Sequence, residues 1–298
     1  MSINRRNFLK LAGYAGVVVS SGLPGFSQGV GTNNEDEFYF VQLSDTHWGF
    51  NKKKLNADAK GTLPKAIDII NSLEHQPDFI VFTGDLTHST DDPKLRRTRM
   101  AEFRDVVSKL KNKNIRFLPG EHDASLDNGA AYQEFFGDLH YTFDHKGIHF
   151  IALDNVSDPR AQLGKKQLDW LRTDLNQLNK DAPLVVLTHR PLFDLESRWG
   201  WSTKDGANAI DMLKGHNNVS VFYGHIHQEH HHNTAHIKHH SARSLIFPLV
   251  KPGSEKKGKI PWDVNNPYQG LGIRNVEVAK AGSEIDLYEL GLQVRKDG

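Results

Sequence analysis

Phe38-Tyr39-Phe40-Val41-Gln42-Leu43-Ser44-Asp45-Thr46-His47 is an apolar run that breaks into a turn carrying a carboxylate and an imidazole. The pattern recurs along the chain. Phe79-Ile80-Val81-Phe82 is followed by Thr83-Gly84-Asp85, and Ile115-Arg116-Phe117-Leu118 by Pro119-Gly120-Glu121-His122-Asp123. Leu184-Val185-Val186-Leu187 leads into Thr188-His189, and Val219-Ser220-Val221-Phe222-Tyr223 into Gly224-His225-Ile226-His227. Short runs rich in β-branched and aromatic residues read as buried strands. Between them, Leu63, Ala66, Ile67, Ile70 and Leu73 fall at helical spacing. Further amphipathic helices are expected over Leu95–Leu110 and Lys165–Leu178, with a short one over Ala207–Leu213. A hairpin is expected from Tyr141–Asp144 and His149–Leu153 around Lys146-Gly147. Strands alternating with helices indicate an α/β layer structure. Arg243–Leu249, Ile273–Val278 and Glu284–Leu290 make the end of the chain β-rich, suggesting a second sheet packed on the first. Lys251–Asn266, rich in Lys, Gly and Pro, reads as a surface loop.

Open α/β sheets gather ligands at the carboxyl ends of their strands, so all five Asp/Glu/His turns are expected at one rim. In Asp45-x-His47 and His225-x-His227 the strand period of two would put both side chains on one face. Gly84, Gly120 and Gly224 stand just before these residues, where glycine permits tight turns and close backbone approach. The chain has no cysteine and 17 histidines, which excludes disulfides and thiolate metal sites. Carboxylate and imidazole together suit Mn, Fe or Zn better than Ca or Cu(I).

The ordered series Asp-x-His, Gly-Asp, Gly-Glu-His-Asp, His and Gly-His-x-His resembles the calcineurin-like metallophosphoesterase family. The resemblance implies a four-layer αββα sandwich of two mixed β-sheets flanked by helices. It also implies hydrolysis of a phosphomonoester or phosphodiester by a hydroxide bridging two metal ions. By position, Asp45, His47 and His227 would hold the first metal, Asp85 would bridge, and Glu121, His189 and His225 would hold the second. His122 would act near the substrate as acid or stabiliser, with Asp123 hydrogen-bonded to it and fixing its tautomer. The family has asparagine where this chain has Glu121, which adds one negative unit to the site. That carboxylate is expected to bind the second metal; the alternatives are that it turns away in favour of a water, or that hydrolysis has been lost.

His88, Asn155 and Arg190 are expected at the substrate, against the plainer readings of a loop histidine, a turn cap beside Asp154 and a surface ion pair. Trp199 and Trp201 would either stack on a leaving group or simply pack. His230-His231-His232 and His239-His240 read as a histidine-rich loop beside the site, with a direct role in metal or substrate binding as the alternative.

Basic and acidic residues number 37 and 36, which argues against a nucleic-acid or anionic-membrane binder driven by bulk charge. The expected partner is a small phosphorylated substrate. Arg5-Arg6-Asn7-Phe8-Leu9-Lys10 followed by a short apolar run resembles a twin-arginine export signal. Residues 1–28 are therefore expected to be removed, leaving a single domain over residues 29–298. The twin-arginine translocase would be the partner during export, with no stable membrane insertion afterwards and a periplasmic or secreted destination. An exported metal-binding protein with a degenerate, non-hydrolytic site is the competing function.

Overall fold

A computed structural model describes residues 36–292 of the chain. The sequence with export-signal character, residues 1–28, lies outside them. Strands β1 (Phe38–Leu43), β2 (Phe79–Thr83) and β3 (Ile115–Leu118) pair in parallel. Helices α1 (Thr62–Ser72) and α2 (Pro93–Val107) form the crossovers between them. Asp92 starts α2 with its carboxylate accepting from the amides of Lys94 and Leu95, and Pro93 follows where a missing N–H costs nothing. Two short helices, α3 (Glu121–Ala124) and α4 (Ala130–Phe136), follow β3.

Strands β4 (Tyr141–His145) and β5 (Ile148–Ala152) make the expected hairpin. Helix α5 (Gly164–Leu175), strand β6 (Leu184–Leu187), helix α6 (Gly206–Leu213) and strand β7 (Val219–Tyr223) then repeat the parallel pattern. The histidine-rich segment is a hairpin rather than a loop: β8 (His230–Thr234) pairs antiparallel with β9 (Ile237–Ser241), which lies parallel to β7. Strands β10 (Gly272–Val278) and β11 (Ile285–Gly291) return to the first sheet beside β1. The sheet orders are β11-β10-β1-β2-β3 and β4-β5-β6-β7-β9-β8.

Three apolar layers account for the stack. Tyr39, Val41 and Leu43 face α1 and α2, together with Leu63, Ile67, Met100 and Phe103. Phe38 and Phe40 point the other way, against Phe150, Val185, Leu187 and Phe222 of the second sheet. Val186, Val221 and Tyr223 of that sheet face α5 and α6. The strand period of two thus gives each central strand two buried faces, and the fold is the four-layer αββα sandwich.

The expected strand over Arg243–Leu249 is absent. Its apolar residues Leu245, Ile246 and Phe247 are buried without a ladder, apart from one bridge at Leu249. Periodicity reports burial, and here the burial is that of an irregular segment laid across the sheet ends. Buried polar bonds join the sheets near those ends. Gln42 Nε2 donates to the Tyr223 carbonyl at 3.1 Å, and Arg274 donates to Ser241 O while paired with Glu289. The first bond holds the end of β1 against the end of β7, and the Arg274–Ser241 bond ties β10 to β9.

Candidate metal centre

Five parallel strands of the two sheets deliver candidate ligands just past their last residues: Asp45 and His47 after β1, Asp85 after β2, Glu121 after β3, His189 after β6, and His225 and His227 after β7. The structure brings all seven together. On one side, His227 Nε2 lies 3.3 Å from Asp45 Oδ1 and 3.2 Å from His47 Nε2. On the other, Glu121 Oε2 lies 2.9 Å from His189 Nε2, and Glu121 Oε1 2.8 Å from His225 Nδ1. Asp85 Oδ2 stands between the two halves, 3.4 Å from His47 Nε2 and 3.5 Å from His189 Nε2.

The spacing of two does not operate as a strand period. Asp45, His47, Asp85, His225 and His227 have φ of 53°, 43°, 50°, 67° and 55°. This left-handed conformation costs non-glycine residues roughly 1–2 kcal/mol each. The chain has already left the sheet at these positions and coils so that side chains converge. Glycines make room for the coil. A Cβ on Gly120 would fall 2.0 Å from the Asp85 amide nitrogen, and one on Gly224 would fall 2.0 Å from Ser44 Oγ.

The donor set fits divalent cations. Ligand atoms about 2.0–2.2 Å from a shared ion lie roughly 3.0–3.5 Å from one another, close to the separations found. Buried His225 Nε2 has no hydrogen-bond partner, and Glu121 Oε2 and His189 Nε2 face each other without hydrogen-bond geometry. The tautomers suit ligation as well. Nδ1 of His189 donates to Thr83 O and Nδ1 of His227 to Phe247 O, both at 2.7 Å, which leaves each Nε2 lone pair turned inward. Burial favours a neutral His189, but Asp85 and Glu121 outweigh it and hold its pKa well above the ordinary value. Burial also opposes ionisation of Glu121, yet His225 and His189 keep its carboxyl well below the ordinary range. Burial lowers His47 well below its usual value, helped by His122 and His227. Three buried carboxylates in one cluster require positive charge, from protons or from ions.

Asp123 does not touch His122. Its Oδ2 accepts from the amides of Leu86 (2.9 Å) and Gly120 (3.0 Å), and its Oδ1 from the Thr87 amide (2.8 Å) and hydroxyl (2.9 Å). Neighbours on a helix point in different directions, and Asp123 faces inward to pin the turn after β2. Burial and then the charge of Asp85 push its carboxyl up to about 7, against those three amides. The tautomer of His122 is fixed instead by the Ser89 amide, which donates to its Nδ1 at 3.2 Å. A neutral His122 therefore carries its proton on Nε2.

His88 does reach the centre. Its ring stacks on His122 at 5.0 Å, and its Nδ1 lies 3.4 Å from His47 Nδ1. Burial, then His122 and Arg99, lower its pKa to about 4. Asn155 is fully buried and its amide is occupied: Nδ2 donates to Arg190 O and Thr203 Oγ1, and Oδ1 accepts from the Arg190 amide. It braces the turn after β6 and has no atom free for substrate. Arg190 also serves that turn, through Nε to Ser202 O and Nη2 to Gly200 O. Trp201 is fully buried in the core beneath α5 and α6.

Several contributors carried no sequence signal. Ser44 Oγ donates to Asp45 Oδ2 at 2.5 Å, and both oxygens of Asp45 face the His225 amide. The Phe247 ring lies 4.7 Å from that of His227 and 5.9 Å from that of His47. Lys257 and Lys259 reach the same rim from the loop after Phe247.

The model of the calcineurin-like phosphoesterase family matches residues 38–229. A probable cyclic nucleotide phosphodiesterase of Rhodococcus erythropolis is 27% identical over 196 residues, covering 63% of this chain and 64% of that protein. A probable glycerophosphodiester phosphodiesterase of Arcobacter nitrofigilis is 28% identical over 162 residues, 51% of this chain and 57% of that one. The mouse serine/threonine-protein phosphatase CPPED1 is 27% identical over 177 residues, 52% of this chain and 57% of its own length. The chain thus spans less than two thirds of these relatives. Among solved structures, a purple acid phosphatase from yellow lupin seeds has TM-score 0.61 at 14% identity, covering 86% of this chain and 52% of its own. A dimetal phosphatase from Danio rerio has TM-score 0.56 at 15% identity, covering 84% of this chain and 98% of its own. At such identities these two likenesses bear on the fold.

Proposed function

The chain belongs to the calcineurin-like phosphoesterase family, and from that premise we propose that it is a metal-dependent hydrolase of small phosphomonoesters or phosphodiesters. One observation carries the reading: a single carboxylate oxygen, Asp85 Oδ2, lies between two buried sets of donors. Asp45, His47 and His227 would hold one ion, and Glu121, His189 and His225 the other, with Asp85 shared. The donors admit Mn, Fe or Zn. Two bound cations would supply Lewis acidity at a phosphoryl oxygen and acidify water for attack.

The chain's own groups divide the remaining work. The His122 amide donates to Asp85 Oδ1 at 2.9 Å, which keeps Oδ2 turned toward the ligand sets. His122, with Ser89 donating to its Nδ1, offers Nε2–H as a donor to negative charge developing on phosphate. His88 stacks behind that ring and holds its orientation. Phosphodiesterases and phosphatases among the relatives support a phosphoester substrate. Arg5-Arg6 and the apolar run after it support export to the periplasm by the twin-arginine route, which fractionation of the expressing cell tests.

The function is tested on protein reconstituted with Mn, Fe or Zn, assayed on aryl phosphomonoester and phosphodiester substrates alongside metal analysis. Turnover with about two ions per chain is expected. Bound metal with no turnover on either ester would favour the non-hydrolytic metal-binding protein. Glu121→Asn is expected to retain metal and to change turnover or metal preference; kinetics and metal content identical to wild type would remove Glu121 from the ligands.

A further inference from the structure

The loop that follows Phe247 turns back on itself beside the metal centre. Val250 N donates to Gly258 O at 3.0 Å, Ile260 N to Pro248 O at 2.9 Å, and Leu249 bridges Lys259. This pairing sets two ammonium groups at the rim. Lys259 Nζ sits 4.7 Å over the ring of Phe247 and 5.9 Å from that of Phe50. Phe247 lies tilted against His227 at 4.7 Å, and Phe50 meets the edge of His88 at 5.1 Å. Lys257 Nζ donates to Trp199 O at 3.0 Å and lies 5.6 Å over Trp201. Arg190, the residue after His189, grips the same Trp199–Ser202 turn. The tip of the loop is pinned by the Gly253 amide donating to Glu196.

Among the described residues neither lysine forms an ion pair with a carboxylate. Cations gather here instead. Partial burial of its ammonium, then Lys52 and Lys257, lower the pKa of Lys259; partial burial, offset in part by Glu121, and then Arg190 lower that of Lys257. Exposed lysines usually rest their stems on apolar surface and point to water. These two are held by rings and a carbonyl at one rim, where like charges raise each other's energy unless an anion joins them.

We propose that Lys257 and Lys259 form an anion-recognition arm beside the metal centre, selecting phosphoesters whose alcohol portion carries a second negative group, a carboxylate or another phosphate. The inference rests on the phosphoester reading of that centre. It also answers the charge of Glu121: a site carrying one extra negative unit regains attraction for an anionic substrate from the lysine arm.

Two non-hydrolysable ligands of nearly equal shape, (4-carboxybenzyl)phosphonate and (4-carbamoylbenzyl)phosphonate, differ by one charge. Calorimetry at low salt on the metal-loaded chain is expected to show roughly three- to tenfold tighter binding of the carboxylate ligand. The Lys257→Met/Lys259→Met double variant is expected to bring that ratio to about one, with metal content as the check on folding. Equal binding by wild type, or a preference that survives in the double variant, overturns the proposal. The readout needs no turnover, so a chain that fails to hydrolyse esters still answers it; a metal-loaded chain that binds neither phosphonate overturns this inference and the function it rests on together.

Discussion

Asp123 shows how little a residue's neighbours in sequence say about its work. Adjacent to His122, it was the natural partner for that ring, yet its oxygens accept from Leu86 and Thr87 in the turn after β2 and from Gly120 after β3. Asp123→Asn would set an amide N–H against donors that need an acceptor. A buried mismatch of this kind costs about 1–3 kcal/mol. The variant is expected to unfold at lower denaturant by that amount. If stability stays at the wild-type level and the pH profile of turnover moves instead, Asp123 acts through His122 after all. Asn155 teaches the same lesson: an amide that ends a strand near the site is wholly engaged in holding Arg190 and Thr203.

Among the elements, the β8–β9 hairpin is the most unusual, because it stacks histidines in cross-strand pairs. His231 lies opposite His240 and His232 opposite His239, with Nδ1 of His231 and His240 2.8 Å apart. Among the described residues, every cluster of three or more groups spaced to hold a metal lies at the centre, so the hairpin offers no comparable set of ligands. Its consequence is for stability. Burial, then His232, lowers His239 from an ordinary 6.5 to about 4, and burial, then His231 and Arg274, lowers His240 to about 3. The unfolded chain therefore takes up protons first. Stability is full above pH 6.5 and is lost as pH falls from there toward 4. Each ring contributes up to about 1.4 kcal/mol per pH unit in that window. Urea unfolding at pH 5 and pH 7 is expected to show a smaller acid loss for His239→Leu than for wild type; an equal loss would mean that His239 is already solvated.

At the scale of the whole molecule, the centre is a junction between two sheets that touch through phenylalanines and a few buried polar bonds. Phe40 stacks on Phe79 at 4.8 Å and meets Phe150 and Phe222 edge-on at 5.9 and 5.8 Å. Because both sheets contribute ligands, ions held there would tie them together, and binding only to the folded state adds stability by mass action. At one hundred times the dissociation constant this is about 2.7 kcal/mol. For a body of this size it corresponds to roughly 5–10 °C in melting temperature. Removal of metal with a chelator is expected to lower the midpoint by that amount, and Mn or Zn to restore it. A midpoint indifferent to both would mean the seven residues hold no ion in solution.

The sequence by itself determined the alternation of strands and helices and the membership of the centre, while the β-rich end, read as part of a second sheet, joins the first beside β1. Alternating apolar runs and helical spacing set β1, α1, β2, α2 and their repeats, since burial on both strand faces leaves a continuous apolar signature. Charged or imidazole residues at consecutive strand ends then had one rim to occupy. Direction and contact were settled only by the tertiary structure. The left-handed turns at Asp45, His47, His225 and His227, the engagement of Asp123 and Asn155, the irregular course of 243–249 and the approach of Lys257 and Lys259 all depend on residues remote in the chain. Local propensity is blind to such partners, because the free energy that fixes these side chains belongs to contacts that exist only once the two sheets have closed on each other.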